Sequence, residues 1–184
     1  MKETRTTYPI EIGGVHRELR LFEVSPGIKI AILNILGDVE LVTAAARCLA
    51  EKMDLNSFDT LVTAESKSIP LVHVLAAETK KPYVVLRKEY KVYMGDAIRA
   101  QTLSITTGKP QTLVLDEKDI VLLKGKRAAI VDDVISTGST LEGMRNIVLK
   151  AGATVTVEAA IFTEGDPDKW KHAISLGNLP LFKD

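Results

Sequence analysis

Cysteine is nearly missing: Cys48 stands alone in 184 residues, so the chain has no internal disulfide framework and no thiolate metal site. A single small residue of this kind on a helix face suits a reducing compartment, and the sequence predicts a cytoplasmic protein. Charge of either sign is not in excess, because Lys plus Arg and Asp plus Glu both total 24. A neutral chain builds no overall field for nucleic acid or for an anionic membrane surface. Long hydrophobic runs are absent too. The longest, near residues 28–36 and 69–77, fall well short of the about 18 residues that span a bilayer. The opening Met1-Lys2-Glu3-Thr4-Arg5 lacks an apolar stretch, which predicts no signal peptide. Repeats and low-complexity segments are also missing. What remains is 46% hydrophobic, enough for the core of one globular domain.

Periodicity divides the chain. Tyr8, Ile10 and Ile12 alternate, as do Val15, Leu19 and Leu21, and Gly13-Gly14 between them signals a hairpin. This hairpin and the segment to residue 37 form an N-terminal hood, and residues 38–184 the core. From Asp38, a candidate N-cap, Val42, Ala45, Ala46, Leu49 and Met53 recur at helical spacing. A buried strand over 58–64 follows, then a helix capped by Ser68 with Pro70 in its first turn, and a strand over 83–86. After Arg87 the apolar pattern fades for more than twenty residues. Strands over 112–115, 127–131 and 154–162 and a helix ending before Gly152 complete the pattern. Strands and helices that alternate in this way predict an α/β fold, a parallel sheet with helices on both faces. Ligands in such sheets bind beyond the carboxyl ends of the strands, here 64–68, 87 onward and 132–140.

Residues 130–140 carry the strongest chemical signal. An apolar strand delivers Asp132 and Asp133, and a turn of Ser136, Thr137, Gly138, Ser139 and Thr140 opens a helix. Backbone N–H groups and hydroxyls there can surround a phosphate at the positive end of the helix dipole. The carboxylates would repel that phosphate, so they suit a hydroxylated or metal-bound group beside it, such as a ribose. A Walker loop and a dinucleotide fingerprint are both excluded by the glycine spacing.

This segment resembles the 5-phosphoribosyl 1-pyrophosphate signature of the type I phosphoribosyltransferases. The resemblance implies that Asp132 and Asp133 contact the ribose hydroxyls, and that Ser136, Thr137, Gly138, Ser139 and Thr140 hold the 5′-phosphate. It implies Mg²⁺, with Asp132 and Asp133 in indirect contact, a purine base as second substrate, and a homodimer. Glu65, Ser66, Lys67 and Ser68 stand where the family has its pyrophosphate loop. Adenine enzymes have Glu-Ala/Ser-Arg there, so Lys67 departs while keeping the charge. Arg87, Lys88 and Lys91 would face the diphosphate, with Lys67 and Arg87 acting beside the two aspartates in catalysis. The stretch Glu89–Gln111 corresponds to a mobile lid. Pro26-Gly27-Ile28 and the run to Asp38 resemble the adenine enzymes, whose backbone holds the purine at the place of Ile28, Lys29 and Ile30.

Adenine is the base expected. Hypoxanthine–guanine enzymes have an aspartate where this chain has Ser136, and a lysine just after the last core strand, where none occurs before Lys169. Alternatives are xanthine, whose enzymes also lack that aspartate, and orotate, because Lys67-Ser68-Ile69-Pro70 resembles the orotate loop. A further alternative is a non-catalytic sensor of the sugar donor. His16, His73 and His172 are scattered and are expected to be structural.

Overall fold

The computed structural model describes residues 6–103 and 110–183. At the N-terminus β1 (Thr7–Ile12) and β2 (Val15–Ser25) pair antiparallel. They join at Gly13 and Gly14, whose φ values of 55° and 81° suit a residue without Cβ. The alternation buries Ile10, Ile12 and Leu19. The hood is larger than the expected hairpin. A turn at Pro26-Gly27 adds β3 (Ile28–Ile32), and the distant β11 (Phe182–Lys183) completes a four-stranded sheet in the order β1-β2-β3-β11.

Helix α1 (Val39–Lys52) starts as expected, with the Asp38 carboxylate accepting from the Leu41 N–H at 3.1 Å. Arg17 fixes that cap to the hood through bonds of 2.7 and 2.9 Å to Asp38 and 2.8 Å to Glu40. Then come β4 (Thr60–Ala64), α2 (Ile69–Thr79) and β5 (Tyr83–Leu86). The stretch of faded periodicity forms an antiparallel pair, β6 (Ile98–Leu103) and β7 (Pro110–Leu115). The expected lid thus has a folded base, and its residues 104–109 lie outside the described residues.

The core sheet contains β8 (Arg127–Ile135), β9 (Thr154–Glu164) and β10 (Ile174–Leu179), in the order β10-β9-β8-β4-β5, with every neighbour parallel. Alternate residues of one strand serve opposite faces. Leu61, Ala129, Val131, Ala159 and Ile161 join the core under α1, α2 and the hood. Val62, Ala128, Ile130 and Ala160 join a second core beneath α3 (Ser139–Lys150) and the β6–β7 pair. Helix α3 ends as its sequence predicts, with Gly152 at φ 77° donating to Leu149 O.

Local expectations change as well, two of them at the strand ends that matter most. Strand β8 runs to Ile135 rather than 131, because Val134 and Ile135 still pair with Phe162 and Thr163 of the longer β9. Ser68 makes no side-chain cap on α2, since its hydroxyl is taken by the carboxylates described below. Among the described residues no helix is long and apolar enough to cross a membrane.

Candidate functional site

The carboxyl ends of β4, β5, β8 and β9 all open on one edge of the core sheet, and the hood covers part of it. Strand β8 carries Asp132 and Asp133 to this edge from the centre of the sheet, next to β4. The Ser68 hydroxyl lies 2.8 Å from Asp132 Oδ1 and 3.0 Å from Asp133 Oδ1, and accepts from the Asp133 N–H at 2.9 Å. One hydroxyl hydrogen serves two carboxylates, so their repulsion is only partly relieved. Burial and the neighbouring Asp133 carboxylate push the Asp132 pKa up to about 7.

Behind the aspartates, residues 134–141 curl around a hollow of about 80 Å³, shared with Asp132. Gly138, at φ 89°, leads into α3. Among the described residues, the N–H groups of Thr137, Gly138 and Thr140 have no protein acceptor. Gly138 is required there for a reason the sequence did not show. A Cβ at this position would lie 2.4 Å from Cη2 of Trp170, so the indole lies against the back of the turn. Trp170 is 7% exposed and donates through Nε1 to Ser136 O at 3.1 Å, while Lys169 Nζ donates to Thr137 O at 3.0 Å.

In front of the aspartates lies a cleft of about 780 Å³ between hood and core. Ile28, Ile30 and Ile32 of β3 form its apolar wall, facing Lys67, Asp133, Ser136, Thr137 and Glu164. Lys67 Nζ lies 3.3 Å from Leu33 O and 3.8 Å from Asp133 Oδ2. Glu164, 9% exposed, accepts from the Ser136 hydroxyl. Lys29 is not part of this wall; its place in β3 is opposite Phe182 of β11. A hollow of about 870 Å³ beside Arg17, Phe22 and Asn34 is larger, but Lys67, Asp132, Asp133 and residues 136–140 do not line it.

The turn after β4 begins with a cis peptide bond between Glu65 and Ser66. Glu65 pairs with Arg87 Nε and accepts from the Lys88 N–H at 2.7 Å. The carboxylate thus ties this turn to the end of β5, and it raises the Arg87 pKa further. Lys91 lies farther along, paired with Glu89 at 2.7 Å. The structure therefore brings Lys67, Ser68, Asp132, Asp133 and residues 136–140 together around two adjoining hollows, with Glu65, Arg87 and Lys88 on the β5 side. His16, His73 and His172 lie elsewhere, beside Glu11, Tyr83 and Glu158. Among the described residues no group of three or more His, Cys, Asp or Glu side chains is placed to hold a metal ion.

Comparison with known proteins identifies the family and the fold. Residues 33–174 match the family described as the phosphoribosyl transferase domain. A hypoxanthine/guanine phosphoribosyltransferase of Methanotorris igneus is 34% identical over 170 residues, covering 92% of this chain and 85% of that protein. The purine biosynthesis transcriptional repressor PurR of Bacillus subtilis is 26% identical, and the match covers 86% of this chain but only 56% of the repressor. The adenine phosphoribosyltransferase structure from Thermoanaerobacter pseudethanolicus superposes with a TM-score of 0.71 at 22% identity, covering 87% of this chain and 95% of that one.

Proposed function

The chain belongs to the phosphoribosyl transferase domain family, and from that premise we propose that it is a purine phosphoribosyltransferase that uses adenine. The purine nitrogen attacks C1 of 5-phosphoribosyl 1-pyrophosphate, and the bond from C1 to the pyrophosphate oxygen breaks with inversion. The proton of the purine N–H passes to solvent or to the departing pyrophosphate, and AMP and pyrophosphate are released. The observation that carries the reading is the Asp132–Asp133 pair between a phosphate-sized hollow and an apolar cleft.

In this reaction the protein chiefly positions its substrates and balances charge. The unpaired N–H groups of Thr137, Gly138 and Thr140 and the hydroxyls around them hold the 5′-phosphate. Asp132 and Asp133 accept from the ribose hydroxyls, which relieves the repulsion that raises the Asp132 pKa. Lys67 stabilises the departing diphosphate, as do the donors of Arg87 not used by Glu65. Two carboxylates without a third ligand suit Mg²⁺, an ion that keeps several waters and takes its other oxygens from substrate. When bound, it would neutralise diphosphate charge. The purine stacks against Ile28 and Ile30, and the hood excludes water from the sugar.

Adenine is favoured because the cleft presents the Glu164 carboxylate, an acceptor for an exocyclic amine. Lys169, the first lysine after β9, bonds to Thr137 O and does not line the cleft, so it supplies no cationic donor to a 6-oxygen. The name of the Methanotorris igneus relative favours a second reading, a 6-oxopurine such as guanine, which carries its own amine. Pyrophosphate release measured with adenine, hypoxanthine, guanine, xanthine and orotate separates the two. Release with none of them, while the sugar donor still binds, would support a sensor instead.

A further inference from the structure

The segment Pro167–Trp170 touches neither the aspartates nor the apolar cleft, yet two of its side chains grip the phosphate turn from behind. Trp170 Nε1 donates to Ser136 O, and Lys169 Nζ donates to the next carbonyl, Thr137 O. In a trans peptide the C=O and the following N–H point in opposite directions. Holding Ser136 O outward therefore aims the Thr137 N–H inward, and holding Thr137 O outward aims the Gly138 N–H inward. Both N–H groups lack a protein acceptor among the described residues. A carbonyl turned the other way would point its negative end at the phosphate. The grip is reinforced from two sides: the indole lies against Gly138, leaving no room for a Cβ, and Lys169 lies 4.8 Å from the indole centroid.

We propose that Lys169 and Trp170 are positioning residues that pre-set the two peptide planes of the phosphate turn, and so determine affinity for the sugar phosphate rather than for the base. The proposal rests on the reading of residues 136–140 as a phosphate cradle. Without the brace the turn must be ordered at the moment of binding, and that cost falls on the phosphate-bearing ligand alone. Gly138 belongs to the same device, because the brace and the close approach of the indole are one arrangement.

The test compares full-length wild type with Lys169→Met, Lys169→Arg and Trp170→Phe. Calorimetry with ribose 5-phosphate is combined with steady-state kinetics in both substrates. Lys169→Met keeps the stem and loses the donor, and Trp170→Phe keeps an aromatic ring but loses the N–H. The ribose 5-phosphate Kd should rise about tenfold in each, a loss of roughly 1.4 kcal/mol. The KM for the sugar donor should rise with it, while the KM for the base at saturating donor stays within about twofold. Lys169→Arg, which restores a donor, should recover most of the affinity. The brace is overturned if both variants bind ribose 5-phosphate as wild type does, or if donor and base constants worsen together with a fall in Tm. Tight ribose 5-phosphate binding by wild type without transfer to any base would refute the transferase reading and leave the brace standing. Absence of wild-type binding would remove the cradle and the brace together.

Discussion

The hydroxyl of Ser136 donates to Oε1 of Glu164 at 2.6 Å, joining the first residue of the phosphate turn to the last residue of β9. Both side chains face the cleft. The bond uses one lone pair of a nearly buried carboxylate and leaves others to accept from a ligand. A 6-oxygen placed there would meet an acceptor with no hydrogen between them. Adenine should therefore give the highest kcat/KM of the five bases at saturating donor. Glu164→Gln should lower that value about ten- to a hundredfold and lower the value for hypoxanthine less. A wild-type preference for hypoxanthine or guanine would refute the assignment to adenine.

Gly138→Val addresses the cradle. The branched side chain meets Trp170 and sits at a φ of 89°, a conformation L residues rarely adopt. Affinity for the sugar donor should fall at least about tenfold, with a drop in Tm of several degrees (about 4 °C or less per kcal/mol lost at this chain length). Calorimetric affinity equal to wild type in the folded variant would contradict the cradle.

The raised pKa of Asp132 makes a pH prediction for the ligand-free protein. The folded-state value of about 7 lies above the ordinary carboxylate range. The protonated form therefore favours the folded state, a contribution complete below about pH 4 and lost as pH rises to about 7. Asp132→Asn cannot ionise, so it should match wild type only below about pH 4, gain on it as pH rises through about 7, and exceed it in stability by a few kcal/mol at pH 8. Equal urea midpoints for the two proteins at pH 8 would refute the strained pair. The same variant should bind the sugar donor more weakly at both pH values.

Limited trypsin digestion probes the segment between Arg87 and β7. Lys91 precedes the strongly exposed Val92 and Tyr93. Arg99 instead stacks on Tyr90 at 3.9 Å, and its carbonyl accepts from Lys150. Cleavage after Lys91 should precede cleavage after Arg99, and sugar donor with Mg²⁺ should slow it. Mass spectrometry of early fragments gives the order, and a rate indifferent to ligand would argue against closure over the substrate.

The sheet was legible because its strands are apolar on both faces, and α1 because Asp38 and the spacing of Leu49, Ala46, Ala45 and Val42 agree. The strand-to-helix turn at residues 136–140 was legible because short-range residue types, two acids and then hydroxyls around a glycine, mark it. Long-range partners were not. Glu65 reads as a loop residue facing ligand, yet it holds Arg87 across two strand ends. Ser68 reads as a helix cap, yet it lies between carboxylates 64 and 65 positions away. Trp170 has no periodic neighbours, so nothing local signals that it reaches Gly138. Strands β10 and β11 were missed for a similar reason: β11 is two residues long, and its partner β3 is at the opposite end of the chain.

That last pairing has a bearing on the order of assembly. Strands β1 to β3 precede the core in the chain, but their sheet gains its fourth member only when Phe182 and Lys183 arrive and Phe182 meets Tyr8 at 5.3 Å. Such distant contacts carry the largest loop-closure cost and form late. The parallel sheet and its phosphate turn can therefore be in place before the wall that faces them is secured. The strand that carries Ile28 and Ile30 gains a neighbour on its second edge only when Phe182 and Lys183 pair with it.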